Sequence, residues 1–438
     1  MLGLDVRQLS RDITTTPRYQ MGGRLTSAAG VLTCSLQAAV GEQCAIVPPS
    51  GPPVLAEVIG FKQDVSLLMP FDRTDDLRRG MTVLRHGKGL MVPTGPRLLG
   101  RVLDGLGRPL DNKGPIVGCP LKSLHRPAPP ALDRTQIETP FVTGVRAIDG
   151  LLTCGLGQRI GIFSGSGVGK STLLGEIARN SNADVNVIAL IGERGREVKP
   201  FLEKTLGPEG MAKSVVVYAT SDQTPLMRVR ATQAAIAIAD HFRDGGVNVL
   251  FMIDSLTRLA HAQREIGQML GEPPTARGYT PSVFQMLANV IERLGNASVG
   301  GITALLTVLV DGGDMDEPIA DAVRGFVDGH IVLDRKIAER DHYPAINVGR
   351  SLSRLAAELT DKDHAKAARK LRAIMGTYAE VEDLIRIGQY KRGEDQQADK
   401  AIDLMPAVVQ FLKQDQGTPS GYEQTRAKLL ELTAHWTF

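Results

Sequence analysis

From residue 159 onward the chain repeats one alternation, a short and mostly apolar run followed by a longer stretch with helical spacing. The runs at 159–163, 185–191, 214–219, 247–253, 302–310 and 330–333 predict buried strands. They are continuous rather than alternating, as a parallel sheet covered on both faces requires. Between them, 171–180, 227–243 and 281–294 predict helices. The region reads as an open α/β sheet with its ligand at the carboxyl ends of the strands. Upstream, apolar segments at 31–33, 44–47, 54–59 and 81–84 alternate with Gly and Pro, which predicts a small antiparallel barrel or sandwich. Residues 92–135 are rich in Gly and Pro and predict a structured connection with tight turns. Beyond 360 the pattern turns helical and charged, with helices expected at 362–375, 378–387, 399–413 and 422–435. At the start, Leu2, Val6, Leu9 and Ile13 share one helical face, a candidate partner-binding segment. The expected division is 1–18 for that segment, 19–91 for the barrel, 92–360 for the α/β domain with its connection, and 361–438 for a helical domain.

Composition narrows the class. The chain has 438 residues, 42% of them apolar, which suits two or three globular domains. Lys and Arg total 51 against 48 Asp and Glu, a balance that argues against a dedicated nucleic-acid binder. Cys34, Cys44, Cys119 and Cys154 have no metal-ligand spacing and are expected as reduced thiols of a cytoplasmic protein. No apolar run approaches the ~20 residues that span a bilayer. The first residues show no signal-peptide pattern, so any membrane association is expected through partners only.

The candidate chemistry is concentrated after the first predicted strand of the sheet. Residues 164 to 172 read Ser-Gly-Ser-Gly-Val-Gly-Lys-Ser-Thr. Gly165, Gly167 and Gly169 free the backbone for conformations a Cβ blocks, so N–H groups of Gly165, Ser166, Gly167, Val168, Gly169 and Thr172 can converge on a phosphate. Lys170 adds a positive charge toward the β- and γ-phosphates, and the Ser171 hydroxyl can ligate Mg²⁺. A helix starting here contributes its N-terminal dipole. Strand, loop, Lys-Ser and helix occur in the order of a P-loop NTPase, which makes ATP the expected ligand.

Three further segments supply the rest of a hydrolytic site. The run 249–253 ends in Asp254, a carboxylate able to hold Mg²⁺ or to cap the next helix. Ile191-Gly192-Glu193-Arg194-Gly195-Arg196-Glu197 follows another strand. Hydrolysis needs a carboxylate to orient a water and accept its proton. Glu193 is the candidate and Glu197 the rival, with a solvated charged turn as the plain alternative. In the segment 343–354, Tyr343 can stack on adenine, and Arg354 can stabilise charge on the transferring phosphoryl group. An exposed ion pair is the plain reading of Arg354, and Arg350 is the alternative finger.

Taken together these segments resemble one family. Gly-Ser-Gly-Val-Gly-Lys-Ser, Gly-Glu-Arg-Gly-Arg-Glu-Val, Asp254-Ser255-Leu256-Thr257-Arg258 and Ala262-Gln263-Arg264-Glu265 occur in order. Gly271-Glu272-Pro273-Pro274, Tyr279-Thr280-Pro281-Ser282-Val283-Phe284 and Asp328-Gly329-His330-Ile331-Val332-Leu333 follow. The chain looks like the ATPase of the bacterial type III protein export apparatus, the flagellar one foremost, a family similar to the catalytic subunits of rotary F- and V-type ATPases. The resemblance implies an N-terminal β-barrel, a RecA-like P-loop ATPase core and a C-terminal helical domain. It implies a homohexamer with active sites between subunits. Lys170, Ser171, Glu193 with Arg194, and Asp254 then serve one subunit's nucleotide, Arg354 reaches the neighbour's as an arginine finger, and Tyr343 faces adenine. The implied partners are a stator-like regulator at the N-terminus, a coiled-coil stalk, the membrane-embedded export gate and chaperone–substrate complexes. The implied location is the cytoplasmic face of the inner membrane. The departures are Ser164, where relatives carry Ala or Gly, and a short N-terminus.

Four other readings compete. The same enzyme can serve a virulence-type injectisome. A rotary synthase or proton-pump subunit is the second; the synthase β-type has Thr in place of Gly195, and a V-type subunit carries a long insertion. A non-catalytic nucleotide-binding subunit usually replaces the catalytic Glu with Gln, whereas Glu193 stands here. A hexameric RNA translocase needs stacking aromatics, and around 20–90 only Tyr19, Phe61 and Phe71 are available.

Overall fold

A computed structural model describes residues 22–28, 31–72, 76–434 and 436. The helix expected over 1–18 lies outside the described residues. The chain falls into two compact units, one up to Leu90 with Met269–Gly271, the other Met91–Gln268 with Glu272 onward.

The first unit is a closed antiparallel barrel. Its strands run in the order Gly22–Ser27, Leu32–Cys34, Val65–Pro70, Val54–Lys62, Glu42–Val47 and Thr82–Gly89, the last pairing back to the first. Cys34, Cys44, Ile46, Ala56, Val58, Leu68 and Val83 are buried at its centre. The strands Gly22–Ser27 and Val65–Pro70 are additions to the four expected from sequence. The first opens on two glycines, a poor strand signal. Gly23 is nonetheless required there, because a Cβ would lie 2.6 Å from the Leu36 backbone nitrogen.

The second unit is built on a nine-stranded sheet. Its order is Leu352–Ser353, Gly329–Leu333, Arg159–Ser164, Gly301–Leu309, Asn248–Asp254, Val185–Ile191, Ser214–Ala219 and Val102–Leu103, with Gly295–Asn296 paired onto Gly301–Leu309. The pairings from Gly329–Leu333 through Val102–Leu103 are parallel, and the edge strand Leu352–Ser353 is antiparallel. Every residue of Val185–Ile191 is buried, which explains why its sequence is apolar without alternation. Val102–Leu103 shows that the Gly/Pro-rich connection extends the sheet rather than merely leading to it.

Parallel order places the carboxyl ends of the parallel strands on one edge, so Ser164, Ile191 and Asp254 all end there. The helix Pro225–Asp244 covers one face, opened by Thr224, whose side chain accepts from Met227 N, with Pro225 in the first turn. Past the sheet, Lys362–Arg386, Gln396–Leu412 and Tyr422–Thr433 pack together and onto the short helix Arg146–Leu151, burying Leu371, Ile374, Ala401, Val408 and Leu429. Asp361 and Asp395 cap the first two. Sequence spacing predicts a break near 376–377, yet Lys362–Arg386 is one helix. Gly376 keeps a helical backbone there, and the roughly 1 kcal/mol it costs against Ala is small beside the packing of that helix.

Candidate active site

The strand Arg159–Ser164 delivers the phosphate loop to the carboxyl edge of the sheet. Gly167 and Gly169 have φ of 79° and 84°, the left-handed region that Ser or Val would enter only with strain. The helix Lys170–Asn180 begins directly after Gly169, so its first-turn N–H groups, which have no intrahelical acceptors, open onto the loop. Val168 is buried and anchors the loop, while Ser166 and Ser171 are exposed.

Beneath the loop lies a charged cluster. Lys170 Nζ forms an ion pair with Asp254 Oδ1, both side chains nearly buried. The Thr307 hydroxyl lies 3.0 Å from the same carboxylate oxygen and 2.9 Å from the Ile253 carbonyl. Asp254 is therefore fixed from the neighbouring strand, and the peptide that follows it is cis. Ser255 instead caps the next helix, its Oγ accepting from Arg258 N at 3.4 Å.

Glu193 approaches from the end of Val185–Ile191. Its carboxylate meets Arg258 Nε at 3.3 Å. Burial raises its pKa first, the Asp254 charge adds to this, and Arg258 and Lys170 oppose it. A carboxylate pushed up in this way, beside a lysine and an aspartate, is a candidate for proton transfer. Gly192 makes the approach possible: its φ is 69°, and a Cβ there would lie 2.9 Å from the Arg258 side chain. Arg194 and Glu197 form an exposed pair with each other at 3.7 Å, and the Glu197 charge also pushes Glu193 up.

Beside the loop is a cavity of about 400 Å³, lined by Gly167, Gly169, Thr172, Glu176, Tyr343 and Gln414 among others. The Tyr343 ring stands so close to the loop that a Cβ on Gly169 would touch it at 3.4 Å. The Tyr343 carbonyl accepts from Gln414 N at 2.8 Å, and the Gln414 side chain donates to the Gly144 carbonyl at 2.8 Å. An aromatic face above a loop of free N–H groups suits a purine joined to phosphates.

The structure thus brings together Lys170, Ser171, Glu193, Asp254 and Tyr343 and leaves Arg354 apart. Arg354 follows the edge strand Leu352–Ser353, two strands away from the one carrying the loop, and lines a different cavity. Two residues of the cluster were given no role from sequence, Arg258 and Thr307. Thr307 had a signal, since a hydroxyl inside the apolar run 302–310 needs a partner. Arg258 had none, because an arginine one turn into a helix usually faces water.

Comparison with known proteins places these features in company. The ATP synthase alpha/beta family nucleotide-binding domain matches residues 144–353, and that family's beta-barrel domain matches 32–87. The T3SS EscN ATPase C-terminal domain matches 360–431. A flagellum-specific ATP synthase of Bacillus subtilis is 49% identical over 97% of this chain and 98% of its own. A type 3 secretion system ATPase of Xanthomonas euvesicatoria is 47% identical, covering 97% of each. The assembled ATPase EscN of the enteropathogenic E. coli type III secretion system superposes with a TM-score of 0.89 at 44% identity, covering 94% of this chain and 100% of that one. EscN in complex with its central stalk EscO gives a TM-score of 0.87 at the same identity and coverage.

Proposed function

Because the chain belongs to the family of flagellum-specific ATP synthases and type 3 secretion system ATPases, we propose that it hydrolyses ATP to energise type III protein export. The observation that carries the chemistry is the cluster of Lys170, Asp254 and Glu193 under a glycine loop that opens a helix.

Each residue has a distinct task in this reading. Gly165, Ser166, Gly167, Val168, Gly169 and Thr172 cradle the phosphates by backbone and helix terminus, and Tyr343 faces the base. Lys170 exchanges Asp254 for the β- and γ-phosphates. Glu193 orients the attacking water and takes its proton as the water oxygen bonds to the γ-phosphorus and the bond to the ADP oxygen breaks. Arg258 holds Glu193 in place, and Thr307 holds Asp254. Ser171 and Asp254 are oxygen donors, the class a hard cation takes, and among the described residues no cluster of three or more His, Cys, Asp or Glu forms a protein-only metal cage. Mg²⁺ bound there supplies neutralisation of phosphate charge. Arg194 pairs with Glu197 within this chain, so we assign it to the loop's surface rather than to the reacting phosphate. Arg354 acts on the nucleotide of a second copy.

The assembly follows from that last role. We read the working form as a homohexamer with a coiled-coil stalk in its ring, supported by the EscN and EscO structures. The remaining partners are a stator-like regulator at the N-terminus, the export gate and chaperone–substrate complexes, with no nucleic acid. Among the described residues no helix is long and apolar enough to cross a membrane. In our reading the enzyme works at the cytoplasmic face of the inner membrane and is held there by its partners. The flagellar system is our assignment, supported by the flagellum-specific relative at 49% identity. Replacing the chromosomal gene by Lys170→Ala should abolish export of flagellar proteins. Normal flagella together with lost secretion of virulence proteins would instead assign the chain to an injectisome.

A further inference from the structure

At the Leu352–Ser353 edge of the sheet a second cavity, of about 300 Å³, lies between that strand and the first C-terminal helix. Arg354, Arg369, Arg372 and His364 line it, together with small residues including Ala356 and Ala365. Among the described residues no carboxylate lines it.

Two of the four are already committed. Arg372 donates to the carbonyls of Leu151 at 2.9 Å, Val348 at 3.1 Å and Ser351 at 3.4 Å. His364 has its ring nitrogens against the Gly150 carbonyl at 2.9 Å and the Tyr422 hydroxyl at 3.4 Å. Arg354 and Arg369 differ. Both are exposed, and among the described residues neither guanidinium makes a hydrogen bond or ion pair. Several other arginines of the chain are given carboxylates: Asp111 to Arg101, Asp328 to Arg159, Glu265 to Arg228, Asp240 to Arg293 and Asp361 to Arg426. Two guanidiniums on one cavity wall that holds no carboxylate make a positive concavity that attracts an anion from outside the chain.

We propose that Arg369, on the wall of the cavity that Arg354 also lines, is a second cation facing the phosphates held in the loop of a second copy. The inference rests on the reading of Arg354 as acting in trans. It adds a consequence for the helix Lys362–Arg386, which carries Arg369. ATP and ADP differ by one phosphoryl group, so a contact from that helix differs between the two states. Such a differential contact is what lets hydrolysis in one copy bias the C-terminal helices of the next.

The test uses the full-length enzyme and ATP. Arg369→Ala should form the same oligomer and raise KM for ATP about tenfold, the scale of one lost charge-assisted hydrogen bond. Arg369→Lys should recover part of the loss. Mixing Arg369→Ala with inactive Lys170→Ala should bring back part of the low KM, because some interfaces then pair an intact loop with an intact Arg369. Arg354→Ala mixed with Lys170→Ala is the parallel experiment. If Arg354→Ala is rescued while Arg369→Ala has wild-type KM and kcat, the second cation is wrong and the trans reading stands. If Arg354→Ala is not rescued in verified mixed rings, the trans reading fails and the inference falls with it. Should Arg369→Ala not fold, Ala365→Glu introduces a carboxylate into the same cavity wall and is expected to raise KM in the same rescuable way. An unchanged KM in that variant overturns the proposal.

Discussion

At the scale of single residues, the site is a contest over charge. Glu193 is pushed toward its neutral form by burial and by Asp254, and pulled back by Arg258 and Lys170. A general base must be ionised, so hydrolysis should fall off with decreasing pH at a higher value than for an ordinary carboxylate. Removing Arg258 deletes an opposing charge, so the acid limb of the kcat–pH profile should move further up in Arg258→Ala. A limb that stays in place, or moves down, would disconnect Arg258 from Glu193. Glu193→Gln should bind ATP normally and lose hydrolysis by a factor of about 10²–10⁴. If Glu197→Gln is the inactive variant instead, the proton acceptor was misassigned. Ser164 poses a different question. Its hydroxyl is fully buried and has no hydrogen-bond partner among the described residues. Leaving such a group unpaired costs about 1–3 kcal/mol, and Ser164→Ala removes that cost while keeping the Cβ. A raised melting temperature checks this; a lowered one would mean the hydroxyl has a partner in solution.

At the scale of elements, helices are tied to one another by buried charge as well as by apolar packing. Asp240, near the end of Pro225–Asp244, accepts from Arg293 at 2.7 Å and meets Arg243 at 3.0 Å. Those arginines also reach backbone carbonyls, Arg243 that of Arg293 and Arg293 that of Leu124. The group joins two helices and the connection before the sheet. Asp240→Ala strands the buried Arg293 guanidinium and leaves Arg243 with Asp244 alone, and should destabilise the fold by about 3–5 kcal/mol, since breaking a buried pair leaves an uncompensated charge. Denaturant unfolding measures it, and a loss below about 1 kcal/mol would mean water already solvates the group. Loops follow a different rule. Gly192 sits where a Cβ would press on the Arg258 side chain, and at Gly169, where a Cβ would reach only ordinary contact with Tyr343, the positive φ calls for glycine. The absence of a side chain at Gly192 is a property of the site and not only of the turn.

At the scale of the whole molecule, the chain holds the glycine loop, Asp254 and Glu193 on one edge of its sheet, and Arg354 near another. If these carry the roles proposed above, the catalytic set is complete only between copies. Specific activity should therefore rise with protein concentration until the oligomer is saturated, as mass action requires. The check is ATPase rate against concentration alongside sedimentation. A constant specific activity from a species confirmed as monomer throughout would show that Arg354 is dispensable.

The sequence by itself determined the parts of this protein that depend on local pattern. Continuous apolar runs specified six of the parallel strands to within a residue or two, because burial on both faces leaves no room for alternation, while the two-residue strand Val102–Leu103 was too short to show one. The loop 164–172 was legible because glycine, lysine and serine at fixed spacing answer a chemical demand that few other arrangements meet. What only the tertiary structure decided are relations between distant segments. Arg258 against Glu193, Thr307 against Asp254, and Gln414 against Tyr343 join residues from separate strands, helices and loops. No periodicity encodes those distances. The same holds for Arg369: in the sequence it is one charge on a helix, and only the fold puts it in the wall of the cavity that holds Arg354. Short-range physics writes itself into spacing, whereas which carboxylate faces which cation is fixed by how the strands are ordered.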